Sequence, residues 1–157
     1  MDIQVSSNFE RALFDALGRD GEKLRGLMSG LQAGGFELPS DILANLRAHF
    51  DAGRVDEEET LATIKRWQEK TQELLCPHTA VGVAVAEAQR DPSVPMITLA
   101  TAHPAKFPAA VERATGLHPP LPAHMADLYE RAEHITEVPN DLRALQALIG
   151  ERARLDG

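Results

Sequence analysis

Thiols, positive charge and long apolar runs are all scarce in this chain, and each scarcity excludes something. A single cysteine among 157 residues rules out an internal disulfide and a zinc site built on several thiolates. Lys and Arg number 16 against 24 Asp and Glu, a net charge of −8. Nucleic acid and anionic membranes both call for a cationic surface, so neither is expected as a partner. No apolar run approaches the roughly 20 residues that cross a bilayer. The opening Met-Asp-Ile-Gln-Val-Ser-Ser has neither the basic nor the apolar region of a signal peptide, so the cytoplasm is the expected compartment. Neither G-x-G-x-x-G nor a Walker A sequence occurs, so no glycine-rich phosphate cradle is visible. The six histidines form no H-E-x-x-H. His118 and His124 flank a proline-rich loop without acidic or cysteine partners at ligand spacing, and no metal site is expected.

What is present suits one globular region. Hydrophobic residues make up 43%, enough for a folded core, and the length fits one domain, taken as residues 1–157. Asp2 to Ser6 alternates with Ile3 and Val5 on one face and predicts a short strand. Ser7 and Glu10 have the spacing of a capping box ahead of Phe9, Leu13, Phe14 and Leu17, with Gly18 and Gly21 ending that helix. Leu24, Leu27, Met28 and Leu31 predict a second helix, stopped by Gly34-Gly35. A third opens at Pro39-Ser40-Asp41, and a fourth has its acidic start at Asp56 to Glu59. Together they make a charged helical block from about 22 to 74.

From about 75 to 157 the character changes, and strand-turn-helix patterns line a crevice. Thr79 to Ala88 is small and apolar all round and predicts a buried helix. Pro95 to Thr101 predicts a buried strand. Pro104 then opens a helix bearing Phe107, Val111 and Ala114, closed by Gly116. Met125 and Leu128 belong to a further helix, and His134 to Val138 alternates as a strand. Pro139-Asn140 precedes a last helix with Leu142, Leu145, Leu148 and Ile149 inward. Short strands separated by helices predict an α/β fold, a helix-rich part of a mostly parallel sheet covered on both faces. Three strands are too few for a complete sheet, so the fold is expected to be incomplete in this chain.

Cys76 stands beside His78, but adjacency in sequence is not the geometry of a nucleophilic dyad, and a buried small residue is expected. Asp127, Glu130 and Glu133 read as a solvated face. Thr101 is the informative position, where the strand ends and the next helix begins. In open α/β sheets ligands bind beyond the carboxyl ends of the strands, beside helix N-termini. The same hydroxyl is equally suited to capping the following helix.

Three segments carry a resemblance. Met1-Asp-Ile-Gln-Val-Ser-Ser-Asn-Phe-Glu-Arg11 resembles the internal M-D-I-x-x-S-S-N-F-E-R of threonine synthases. Pro77-His-Thr-Ala-Val-Gly82 is similar to their D-P-H-T-A-V-G. Pro95 to Phe107 resembles their T-A-H-P-A-K-F strand-turn-helix. The three occur in family order across the chain. The resemblance implies the tryptophan-synthase-like fold and a pyridoxal 5'-phosphate enzyme that converts O-phospho-L-homoserine and water to L-threonine and phosphate. It implies that Thr101 contacts the cofactor through the pyridine nitrogen, with His103 and Lys106 near the site and Asn8 and His78 as further neighbours.

This chain also departs from the family pattern. Cys76 stands where family members usually have an acidic residue. The S-F-K-D segment with the Schiff-base lysine and the glycine-rich phosphate loop are absent, and Lys23, Lys65 and Lys70 match no lysine motif. No catalytic residue is therefore assigned within these residues. The expectation is a C-terminal part, inactive alone, whose partner is the missing N-terminal half of the enzyme. The alternatives are a non-catalytic module pairing with another chain through an orphan sheet edge, and part of a threonine-synthase-like phospho-amino-acid lyase.

Overall fold

The computed structural model describes residues 6–153. Seven α-helices occur among them: α1 (Ser7–Ala16), α2 (Gly21–Gln32), α3 (Ser40–Arg47), α4 (Glu57–Thr71), α5 (Pro77–Gln89), α6 (Pro108–Thr115) and α7 (Leu142–Arg152). Short 3-10 turns cover Pro104–Lys106, Ala123–Met125 and Leu128–Glu130. The chain forms two compact units, one reaching Pro120 and the other beginning at Leu121.

Helix starts follow from short polar side chains that take up the free amides of a first turn. Asp20 accepts from the N–H groups of Glu22 and Lys23 at 3.0 and 3.1 Å. Asp56 accepts from Glu59 at 2.9 Å, ahead of the acidic turn Glu57–Glu59 that suits the positive end of a helix dipole. Asp141 accepts from Ala144 at 2.9 Å and opens α7. The cap of α1 is Ser6, which accepts from Phe9, rather than Ser7. The helix takes in one residue more than the capping-box spacing predicts, and Ser7 is its first helical residue. Gly18 and Gly116 have φ of +70° and +72°, a conformation open to glycine at low cost where α1 and α6 stop. Gly21 does not end α1 but begins α2.

In the first unit α1 packs with α2 and α3, while α4 packs against α5 and α6. Buried Ile64 of α4, Ala80 and Val83 of α5 and Val111 of α6 form the core of the second group. Helix α5 is built of small residues, so its neighbours come close. A Cβ on Gly82 would lie 3.3 Å from Thr98 Cγ2, and one on Gly53 would lie 2.7 Å from Val85 Cγ1.

The expected strands at 95–101 and 134–138 are not formed; among the described residues there is no strand. The expected strand at 2–6 falls largely on residues 1–5, outside those described. A strand exists only through backbone bonds to a neighbour, and segment 95–101 has none among the described residues. Ile97 and Leu99 are 81% and 77% exposed, the reverse of the burial their apolar character predicts. The helix expected from Pro104 through Ala114 is divided into a 3-10 turn and α6, because Pro108 starts a new helix and a proline ring is poorly tolerated within one. Only short 3-10 turns form around Met125 and Leu128. Helix α7 forms as expected, but Leu142, Leu145 and Ile149 are exposed rather than inward.

The close approach of Gly53 to Val85 yields a test. Val85 is β-branched and stiff at χ1, so its methyls yield poorly to an added Cβ. Gly53→Ala is expected to lower stability by about 1–3 kcal/mol, the usual range for overpacking. In a Val85→Ala background the same change should cost little. A Gly53→Ala protein melting at or above the parent temperature in a thermal denaturation would show that the contact carries no such strain.

Candidate functional site

The N-terminus of α5 organises the site. Cys76 is the N-cap, with Sγ accepting the Thr79 N–H at 3.4 Å, and Pro77 occupies the first helical position, where its missing N–H costs nothing. Cys76 and Thr79 are 1% and 4% exposed. The Thr79 hydroxyl lies 3.2 Å from Cys76 Sγ. Segment 98–103 then returns across this helix end. The Thr101 N–H donates to Thr79 Oγ1 at 3.1 Å, and the two hydroxyls lie 3.4 Å apart. Thr101 Oγ1 also stands 3.7 Å from Cys76 Sγ.

A cavity of about 420 Å³ opens beside this cluster, lined by Leu74, Leu75, Cys76, Thr79 and the stretch from Ala100 to Pro104. Thr101 and His103, both expected at the site, share it. His103 Nδ1 accepts the Ala105 N–H at 3.2 Å and caps the 3-10 turn. In the neutral ring the proton therefore sits on Nε2. His103, not Thr101, makes the cap at this turn, so the capping alternative for Thr101 fails: its hydroxyl faces the start of α5.

The other expected neighbours lie apart from this cavity. Lys106 is exposed in the 3-10 turn and does not line it. His78 stacks edge-on against Phe107 with ring centroids 5.0 Å apart. Asn8 lines a different, apolar cavity of about 720 Å³ with Phe9, Leu43, Leu46 and Phe50. Sequence reasoning missed two residues of the cluster. Thr79 carried a signal in its place at the third position of a proline-started helix. Cys76 carried one in standing just before that proline, where N-caps stand.

Burial pushes the Cys76 thiol up. The hydroxyl and N–H of Thr79, the Thr101 hydroxyl and the Ala102 N–H all favour the thiolate, and the balance lies below the ordinary 9.0. Between the folded value and 9.0 the unfolded chain holds a proton that the folded one has released. The contribution to stability is therefore fully present above 9.0, and it is lost as pH falls through the folded value. Because the chain has one cysteine, ultraviolet thiolate absorbance taken as the difference from the Cys76→Ser protein reads this group alone. Its midpoint should lie lower in the native protein than in denaturant, and Cys76→Ser should abolish the titration while keeping a cap. A native midpoint at or above the denatured one would reverse the assigned balance.

Residues 79–149 match the family model described as "Threonine synthase, C-terminal". The chain is 48% identical over 96% of its length to threonine synthase from Pseudomonas aeruginosa, covering 33% of that protein. It is 36% identical to that of Corynebacterium glutamicum, covering 32% of it, so the chain spans about a third of these relatives. It is also 36% identical to rat threonine synthase-like 2. The crystal structure of pyridoxal-phosphate-bound threonine synthase from Brucella melitensis matches at TM-score 0.73 and 47% identity, over 98% of this chain and 33% of that one. Yeast threonine synthase matches at TM-score 0.68 and 32% identity, over 96% of this chain and 35% of that one. The chain belongs to the threonine synthase family and corresponds to the C-terminal part of its members.

Proposed function

We propose that the chain contributes one wall of the cofactor site in a threonine synthase that turns O-phospho-L-homoserine and water into L-threonine and phosphate. The observation that carries this reading is the Thr101 hydroxyl, held at a cavity by a buried partner within the T-A-H-P-A-K-F motif. The likeness to the pyridoxal-phosphate-bound Brucella enzyme supports it.

The residues present fit that cofactor along one edge. A neutral hydroxyl is suited to a pyridine nitrogen, and Leu74, Leu75, Ala100 and Ala102 give small apolar walls for a planar ring. The cavity has no lysine and no glycine-rich turn in its lining, so covalent anchoring and phosphate binding fall to the N-terminal part of the enzyme. When bound, pyridoxal phosphate supplies an electron sink for the reacting amino acid. Thr101 partners the ring nitrogen without the charge that would keep it protonated. Its hydroxyl is preorganised by Thr79, so little reorganisation accompanies a change of charge on the ring. His103 presents an Nε2–H donor at the same cavity. The exposed strip with Ile97 and Leu99 supplies a strand edge, which the N-terminal part completes into a mostly parallel sheet covered by helices. The likeness to threonine synthase-like 2 supports a second reading, a related phospho-amino-acid lyase. Phosphate release without threonine formation would favour it.

The test joins this chain to the remainder of the Pseudomonas aeruginosa relative and compares it with Thr101→Val. Valine keeps the β-branched shape and removes the hydroxyl. The expected result is an intact fold, retained cofactor, and turnover lower by at least roughly tenfold, the rate factor for about 1.4 kcal/mol. A variant that melts early yet turns over normally would return Thr101 to a structural role. Residues 1–157 alone should give no borohydride-trapped adduct with pyridoxal phosphate. A stoichiometric adduct on one lysine, Lys106 included, would place the anchor in this chain.

A further inference from the structure

We propose that Thr79 is a positioning residue for the ring-nitrogen contact, setting both the place and the proton of the Thr101 hydroxyl. The inference rests on the reading of Thr101 given above. The other helical threonines use their hydroxyls within their own helix, Thr63 on the side chains of Glu59 and Arg66 and the rest on the backbone. Thr60, Thr71 and Thr115 donate to carbonyls four residues back at 2.6, 2.8 and 2.8 Å, a common arrangement within helices. Thr79 sits at the third position of α5, where no carbonyl of the helix or its cap lies four residues back. Its hydroxyl is therefore free of the helix carbonyls and lies between the Cys76 cap and Thr101, 22 residues on.

Acceptor strength orders the protons. Thr79 Oγ1 accepts the Thr101 N–H at 3.1 Å, which fixes the Thr101 backbone. Thr79 Oγ1 lies 3.2 Å from Cys76 Sγ and 3.4 Å from Thr101 Oγ1. A hydroxyl oxygen is a better acceptor than a thiol, so on this proposal the single Thr79 proton goes to Thr101. Cys76 Sγ, a weak acceptor at 3.7 Å, competes little for the Thr101 proton, which turns toward the cavity. Thr101 is thereby presented as a donor to an unprotonated acceptor. Cys76 Sγ, already accepting the Thr79 N–H, holds the first turn of α5 in place and so fixes Thr79 itself. With Thr79 almost fully buried, water does not compete readily for its hydroxyl.

The experiment uses the full-length enzyme formed with the Pseudomonas aeruginosa remainder, loaded with pyridoxal phosphate isotopically labelled at the ring nitrogen. Four proteins are compared by nitrogen magnetic resonance, kcat and KM, and melting temperature: parent, Thr79→Val, Thr79→Ser and Thr101→Val. Thr79→Val should move the ring-nitrogen signal in the same sense as Thr101→Val. It should lower kcat roughly three- to tenfold, the rate equivalent of one neutral hydrogen bond, with KM nearly unchanged. Thr79→Ser keeps the hydroxyl and should restore both. Where Thr79→Val does not fold, Thr79→Ala removes the hydroxyl without adding a methyl and serves the same comparison. If Thr101→Val moves the signal and neither Thr79→Val nor Thr79→Ala does, this inference is wrong and the reading of Thr101 stands. If Thr101→Val leaves the signal unmoved, that reading fails and this inference with it. Loss of melting temperature alone, with an unmoved signal, would make Thr79 a structural residue only.

Discussion

The bond from the Thr101 N–H to Thr79 Oγ1 is the constraint on which the site depends. Among the described residues no backbone ladder holds segment 95–103, and side chains of α5 fix its path. Two contacts are spaced along the helix, Thr79 with Thr101 and Gly82 with Thr98. Positions three apart share one face of a helix, and the segment meets that face in reverse order. At Gly82 the absence of a side chain lets the segment come close, and at Thr79 a hydroxyl ties it down. Helix α5 can serve as this anchor because it is itself held, through Cys76 at its start and through Ala80 and Val83 packed into the core with Ile64 and Val111.

Electrostatics at the surface add little to this arrangement. Arg66 bridges Glu87 at 3.1 Å and Glu59 at 3.6 Å, and Arg113 meets Glu57 at 3.2 Å, so ion pairs link α4 to α5 and to α6. All these side chains are well exposed, and exposed pairs contribute at most about 1 kcal/mol each. The packing of α4 on its neighbours therefore rests on the buried apolar residues and on Thr63, fully buried between Glu59 and Arg66. Register along these helices is set by shape, with the charges keeping the outer faces in water.

What was legible in the sequence was what is local. Leu24 to Leu31, the acidic start at Asp56 and the small-residue run of α5 announce their helices within a turn or two of chain, and each helix formed near its expected place. Ile97 and Leu99 announce burial with equal clarity, but burial needs a partner, and the described residues provide none. The expectation of a strand failed there because strand formation is a property of two segments, and one was in hand. The outward Leu142, Leu145 and Ile149 of α7 show the same limit. At the cavity, Thr101 was marked by its place between an apolar run and a proline turn, with a capping role open, and His103 only by the resemblance of its motif. Thr79 was hidden, because the partner that gives its hydroxyl meaning lies 22 residues away. Cys76 was read as a small buried residue, and it is one, but it is also the cap of the helix that carries the site.

That cap bears on the departure at position 76, where the resemblance implies an acidic residue. A carboxylate is a strong N-cap and is favoured at the positive end of a helix, but it only accepts hydrogen bonds. Placed among Thr79 N–H, Thr79 O–H and Thr101 O–H, a carboxylate would draw both hydroxyl protons toward itself. Thr101 would then face the cavity as an acceptor, suited to a protonated ring nitrogen. The thiol is a weak acceptor. It satisfies the Thr79 N–H and competes only weakly with Thr101 for the Thr79 proton. On the reading of Thr101 proposed above, the residue at the cap would thus select which protonation state of the ring Thr101 is prepared to meet. On the same reading, the cysteine and the two threonines suit a neutral ring nitrogen, and the same thiol, once ionised, would draw both hydroxyls toward α5 and withdraw that donor.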